Sequence, residues 1–299
     1  MTVGVDGQVL AGGGRLVAYA NFVKVAHTVF SLPFAFVGVA AAARVHPVAL
    51  RTVLLVIAAF GTARFAAMGF NRIADRGLDA ANPRTAGREL PAGRMALAEA
   101  WVVVVGMSLL FVLSAALLNR LCFALSPVAL VWVTVYSYSK RFTALSHIWL
   151  GLGMAISPVG GYLAVTGAWS TPWWQLPLLV LVVACWGSGF DVLYSLQDEQ
   201  FDREHGLKSA TVALGAPGAI MASRVLHGLA AAAIVAFGIA ARFGLWYFAG
   251  AVLAAALLVW EHRLVRPYDY SRLDAAFFSM NGIISGVVMM GAIADVVLR

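Results

Sequence analysis

Asn71 to Pro91 reads N-R-I-A-D-R-G-L-D-A-A-N-P-R-T-A-G-R-E-L-P, and it gathers Arg72, Asp75, Arg76, Asp79, Arg84 and Arg88 at the exit of an apolar segment. Charged residues are only 12% of the chain, so this density is selective. If Asn71 to Asp79 is helical, Asn71, Asp75 and Asp79 fall at i, i+4 and i+8 and share one face. Oxygen ligands in that arrangement suit a hard cation such as Mg²⁺, and the flanking arginines suit an anion that arrives with it. The stretch predicts a metal-diphosphate site at a membrane surface.

The surroundings of the stretch set the class. Hydrophobic residues make up 62% of the 299, and the mean hydropathy is +0.86. Soluble globular chains hold about 45–50% apolar residues, so this one belongs in a bilayer. Cys122 and Cys185 sit inside apolar runs without a CxxC partner, which argues against a disulfide framework or a zinc site. The net charge of +7 has no basic, aromatic-interleaved soluble segment to carry it, so no nucleic-acid partner is expected. Membrane orientation accounts for it instead.

The sequence predicts an all-α polytopic membrane protein with nine transmembrane helices: two four-helix units plus a ninth helix. The expected spans are 25–43, 52–71, 97–118, 121–138, 145–166, 176–196, 219–240, 243–260 and 275–297, each near the ~20 residues that cross a bilayer. Residues 1–20 read as a flexible N-terminal tail without a cleaved signal peptide, and 21–299 as a single transmembrane domain. With the N-terminus inside, fifteen Lys and Arg fall on the inner side and five on the outer, with Arg64 within a span. That bias places the N-terminus and the long polar loops in the cytoplasm. The nine tryptophans, Trp169, Trp173 and Trp174 among them, read mainly as interfacial anchors. Asn281 is expected to bond to a neighbouring helix, and His27 and Ser31 to face either a chamber or the interior.

A second acidic run, D-V-L-Y-S-L-Q-D-E-Q-F-D-R-E-H-G-L-K from Asp191 to Lys208, ends the sixth span as the first run ends the second. Asp191, Asp198 and Asp202, at i, i+7 and i+11 with Tyr194 between, are expected to share one helical face. A solvated, ion-paired helix end is the competing explanation for either run alone. Two such runs, four spans apart, suggest a tandem repeat and a pair of facing carboxylate clusters around a diphosphate.

The residues carry a resemblance. N-R-x-x-D-x-x-x-D with N-P-R-T and R-E-L-P after it, D-x-x-Y-x-x-x-D-x-x-x-D with K-S after it, Y-S-Y-S-K-R between them and H-T-x-F-S-L-P-F at His27 to Phe34 resemble the UbiA superfamily of intramembrane aromatic prenyltransferases, over nearly the whole chain from Lys24. Within it the chain is most similar to bacterial 4-hydroxybenzoate polyprenyltransferases and their relatives in quinone biosynthesis. The resemblance implies that Asn71, Asp75 and Asp79, with Asp198 and Asp202, coordinate Mg²⁺ that grips an isoprenyl diphosphate. The usual N-D opening is N-R here, and Arg72 is assigned to the diphosphate or to a salt bridge. Arg84, Lys140, Arg141 and Lys208 would neutralise the departing diphosphate. Asp191, Asp198 and Tyr194 are the catalytic candidates, with Asp191 or Asp198 either removing the ring proton or holding the acceptor.

Arg64 lies seven residues before Asn71, about 10 Å deeper on nearly the same face. It suits the carboxylate of an aromatic acid, against the alternative of an internal ion pair. A 4-hydroxybenzoate and a dihydroxynaphthoate of the futalosine-type menaquinone pathway both remain as acceptors. A bacterial inner-membrane location is expected, with the site facing the cytoplasm. The rival of another class is a membrane transporter; a CDP-alcohol phosphotransferase is disfavoured because DG-x-x-A-R spacing is absent.

Overall fold

The computed structural model describes residues 14–24, 28–269, 273 and 280–298. His27, Arg272, Arg299 and residues 1–13 of the expected tail lie outside them. The described residues are helical, with no strand beyond an isolated bridge between Arg266 and Asp269. The helices are α1 (Arg15–Phe22), α2 (Thr28–Ala43), α3 (Leu50–Ala81), α4 (Leu97–Leu118), α5 (Arg120–Val135), α6 (Ser146–Thr166), α7 (Gln175–Tyr194), α8 (Glu199–Glu204), α9 (Ala210–Ala240), α10 (Leu245–Leu264) and α11 (Asn281–Val297). Seven helical segments among the described residues are long and apolar enough to cross a membrane. Two shorter apolar helices, Ser31–Ala43 and Asn281–Val297, occupy the places of the expected first and ninth spans.

The acidic motifs are built as extensions of membrane helices. α3 runs for 32 residues, about 48 Å at 1.5 Å per residue, so it crosses a ~30 Å hydrocarbon core and still carries Asn71 to Asp79 on its last turns. It stops at Asn82, whose extended backbone (φ −88°, ψ 117°) is the conformation a following proline imposes. The second run differs from its expected form. α7 ends at Tyr194, a 3₁₀ turn covers Ser195–Asp198, and α8 restarts at Glu199. Asp191, Asp198 and Asp202 therefore share no continuous helical face. The seventh expected span also begins earlier, at Ala210, where the Ser209 hydroxyl accepts the Val212 N–H as an N-cap. The helix kinks at Gly215, whose φ of 67° favours glycine, with Pro217 two residues on.

α2, α6, α7, α9, α10 and α11 close around a core that includes Phe34, Trp186, Phe237, Tyr247 and Ile284. α2 and α6 approach through glycines: a Cβ at Gly38 would land on the Pro158 carbonyl oxygen, and one at Gly161 on that of Ala35. Trp186 belongs to this core and is no interfacial anchor, whereas Trp169, Trp173 and Trp174 are exposed. Trp186 Nε1 donates to Asn281 Oδ1 at 2.9 Å, and Asn281 Nδ2 donates to Glu261 Oε1 at 3.1 Å, so Asn281 bonds to both α7 and α10. At the end of the bundle away from the motifs, Arg44 pairs with Asp295 at 3.1 Å. Asp295 also accepts the Gly244 N–H, tying the end of α2 to α10 and α11. α3, α4 and α5 pack on the other side of α6. Cys122 and Cys185 are free thiols.

Candidate active site

A cavity of about 760 Å³ opens between α2, α3, α4, α5, α6 and α7. Among the described residues none after Leu207 lines it, and α9, α10 and α11 stand behind it. One end is charged, lined by Asp75, Asp79, Arg84, Lys140, Asp198 and Asp202. The remainder, past Val56, Phe60, Phe111, Leu118, Leu125 and Leu163, is largely apolar, with Arg64 on its wall. A polar head and an apolar depth in one cavity fit a molecule of the same duality.

The two acidic motifs meet through basic residues. Arg84, on the loop after α3, donates from Nε to Asp198 Oδ1 at 3.0 Å and from Nη2 to Oδ2 at 2.6 Å. Asn82 Nδ2 adds a bond to Asp198 Oδ1 at 3.1 Å, and Arg84 lies over the Tyr194 ring, 5.6 Å from its centroid. Lys140 reaches Asp202 at 3.3 Å, and Arg141 reaches Asp75 at 3.3 Å. Both come from the 3₁₀ turn Tyr136–Arg141, which places adjacent residues toward opposite motifs. Asp79 holds Arg88 at 2.6 Å, with Arg72 3.9 Å away. Asn71 Nδ2 donates to Asp75 Oδ2 at 2.9 Å, the contact that the i, i+4 spacing predicts.

The structure gathers most of the residues named from sequence. Arg64, Asn71, Asp75, Asp79, Arg84, Lys140, Arg141, Asp191, Tyr194, Asp198 and Asp202 all line the cavity, as does Ser31. Arg72 does not; it is buried beside Asp79, which is the salt-bridge alternative. Lys208 is also outside, because the chain turns away before it: the residue is exposed and its ammonium donates to the Phe142 carbonyl at 3.3 Å. Arg64 is half-buried on the cavity wall, without a hydrogen bond or ion pair among the described residues.

Three contributors were missed by the sequence reading. Arg88 was counted in the motif but given no role. Asn82 stood within N-P-R-T and was given no role. His147, whose Nδ1 lies 2.6 Å from Asp191 Oδ2, stands alone in an apolar run, 44 residues from its partner, with no local signal.

The donor set fits a hard divalent cation. Asp79 Oδ2 is buried with no hydrogen-bond partner, an orphaned oxygen of the kind a metal would satisfy. Among the described residues no three His, Cys, Asp or Glu side chains converge closely enough to ligate one ion by themselves. Any Mg²⁺ held here would need oxygens from its substrate, which is how Mg²⁺ is usually bound in phosphate-handling sites.

Comparisons with known proteins agree with this geometry. The model of the UbiA prenyltransferase family matches residues 31–283. The 4-hydroxybenzoate octaprenyltransferase of Aromatoleum aromaticum is 31% identical over 246 residues, 82% of each chain. That of Xanthomonas campestris pv. campestris is 32% identical over 251 residues, 84% of this chain and 81% of the other. The apo structure of a UbiA homolog from Aeropyrum pernix K1 superposes with a TM-score of 0.82 at 35% identity, covering 90% of this chain and 98% of that one. A UbiA homolog from Archaeoglobus fulgidus bound to GPP and Mg²⁺ has the same fold, at a TM-score of 0.73 and 17% identity, covering 93% and 99%. A transporter is thereby set aside: this integral membrane protein is a prenyltransferase, and the chain belongs to the UbiA prenyltransferase family.

Proposed function

We propose that the protein transfers a polyprenyl chain from polyprenyl diphosphate to an aromatic acid of the 4-hydroxybenzoate type, with Mg²⁺, as a step in quinone biosynthesis. The observation that carries this reading is the single cavity whose acidic and basic end continues into an apolar depth. The 4-hydroxybenzoate octaprenyltransferases among its relatives, and the homolog bound to GPP and Mg²⁺, support it.

Asn71, Asp75 and Asp79 on one side, with Asp198 and Asp202 on the other, would hold the metal. When bound, Mg²⁺ supplies positive charge that favours departure of the diphosphate. Arg84, Lys140 and Arg141 lie beside those carboxylates and take the diphosphate oxygens, with Arg88 behind Asp79. The apolar wall receives the prenyl tail and keeps water from an allylic cation that it would trap. Arg64, about 10 Å deeper than Asn71, anchors the carboxylate of the acceptor. The ring then attacks through carbon at the charged mouth of the apolar depth.

The same reading keeps nine crossings, with α2 and α11 as the short first and last, in a bacterial inner membrane with the charged end at the cytoplasm. The Lys and Arg bias supports that orientation. The test is purified protein incubated with a matrix of prenyl diphosphates and hydroxyaromatic acids. Prenylated hydroxybenzoate as the main product is expected; turnover restricted to acceptors without a carboxylate would contradict the assignment.

A further inference from the structure

Among the described residues five carboxylates line the cavity, and four of them hold a Lys or Arg: Asp75 with Arg141, Asp79 with Arg88, Asp198 with Arg84 and Asp202 with Lys140. Asp191 differs: Lys140 acts on it only through space, and its hydrogen-bond partner among the described residues is the imidazole of His147, the second residue of α6, with Nδ1 2.6 Å from Asp191 Oδ2. The other ring nitrogen is also engaged. The Ala210 N–H, at the first position of α9, donates to His147 Nε2 at 3.3 Å. That N–H is one of the helix-start donors with no partner inside the helix, and Ser209 Oγ serves Val212 instead. A ring nitrogen that accepts a hydrogen bond carries no proton. The proton of neutral His147 therefore sits on Nδ1 and is donated to Asp191.

We infer that His147 is a positioning residue that holds Asp191 as an oriented carboxylate, and that Asp191 takes the ring proton in the transfer; this rests on the prenyl-transfer reading above. A guanidinium or ammonium partner is itself a ligand for the diphosphate, whereas the neutral N–H of an imidazole serves only to orient the carboxylate. Among the described residues Asp191 is the one cavity carboxylate with the second kind of partner. His147 does not relay the proton onward, because protonating Nε2 would break its bond from Ala210 and set two donors against each other. The proton stays on Asp191 until the product leaves.

Position agrees with this role. Asp191 lies on α7, before the 3₁₀ turn that carries Asp198, and lines the same cavity as the proposed metal-holding carboxylates. That is where a ring meets the first carbon of a prenyl chain whose diphosphate is held at the charged end. His147 fixes Oδ2, and Oδ1 has no protein partner among the described residues. The step balances: the allylic C–O bond breaks with its electron pair leaving on the diphosphate, a ring carbon bonds to the prenyl carbon, and the proton of that ring carbon passes to Asp191.

The test uses full-length protein in lipid nanodiscs. His147→Phe keeps the ring volume without its nitrogens; it is expected to lower kcat about 10- to 100-fold while the KM for prenyl diphosphate moves less than about twofold. In His147→Gln the amide can both donate to Asp191 and accept from Ala210, so kcat is expected to return to within about threefold of wild type. Unchanged kcat in the phenylalanine variant, or equal loss in both, overturns the inference. The imidazole ¹⁵N signals of His147, assigned against His147→Gln, give a readout independent of turnover. Nδ1 protonated and Nε2 bare is expected; the opposite tautomer or a doubly protonated ring overturns it. Wild-type protein that prenylates no hydroxyaromatic acid would overturn the functional reading instead, and the spectrum would still decide the hydrogen-bonding assignment.

Discussion

Arg84 grips Asp198 with two nitrogens, Nε on Oδ1 at 3.0 Å and Nη2 on Oδ2 at 2.6 Å, although the two residues are 114 positions apart. The fork joins the loop after the first acidic motif to the 3₁₀ turn that carries the second. Lys140 and Arg141, on one short turn, make the complementary link by pairing with Asp202 and Asp75. The cations that would meet a diphosphate thus also hold the two motifs together. On the function proposed above, the carboxylates would turn to the metal and the cations to the phosphates.

Arg84→Lys tests the fork. Lysine keeps the charge and loses the planar pair of donors, so a KM for prenyl diphosphate raised about tenfold is expected. Arg84→Ala also leaves Asp198 with one neutral donor, Asn82, and should lower thermal stability by about 1–3 kcal/mol. Donor kinetics and detergent-solubilised melting curves read the two effects. A lysine variant with wild-type KM would remove the geometry of the fork from donor binding.

Arg64 tests the acceptor pocket. It has no hydrogen bond or ion pair among the described residues, so none of them competes for its guanidinium. Arg64→Ala should raise the KM for an aromatic acid about 10- to 100-fold, as expected for a lost charge-assisted bond of ~1.5–3 kcal/mol, with little change for the donor. Steady-state kinetics with each substrate varied in turn separates the two. An unchanged acceptor KM would remove the anchor.

Gly161 tests the helix packing that backs the cavity. A methyl group there meets the Ala35 carbonyl oxygen, and neither backbone can give way without moving a helix. Gly161→Ala should therefore cost about 1–3 kcal/mol of stability, whereas Gly160→Ala, whose Cβ enters open space, should cost little. Melting temperatures of the two variants in the same detergent provide the comparison. Equal stability would show that α2 and α6 are not close-packed at this point.

Much of this was legible because the bilayer simplifies the code. Apolar runs of about 20 residues marked the helices, and charges stood out against them. Asn71, Asp75 and Asp79 were placed correctly because α3 continues unbroken through them. The same spacing argument failed at Asp191 to Asp202, where a 3₁₀ turn changes the rotation per residue and no local residue announces it. The start of α9 was hidden by Gly215 and Pro217, which read as loop residues and serve as a kink. Lys208 follows the second acidic run closely in sequence, but its direction depends on a turn set by tertiary contacts, including the 2.6 Å bond from its own N–H to the Lys140 carbonyl. His147 was invisible for a simpler reason: a single histidine gains meaning only from the carboxylate and the helix start that fold brings to its two nitrogens.

The central claim is metal-dependent prenyl transfer to an aromatic acid at the joined acidic motifs. Its most direct measurement is formation of prenylated 4-hydroxybenzoate by purified protein, with Mg²⁺, with EDTA, and with Mg²⁺ restored, alongside Asp75→Asn and Asp198→Asn. The account predicts product with Mg²⁺, none in EDTA, recovery on readdition, and none from either variant under any condition. Product that persists in EDTA, or in both variants, would contradict it.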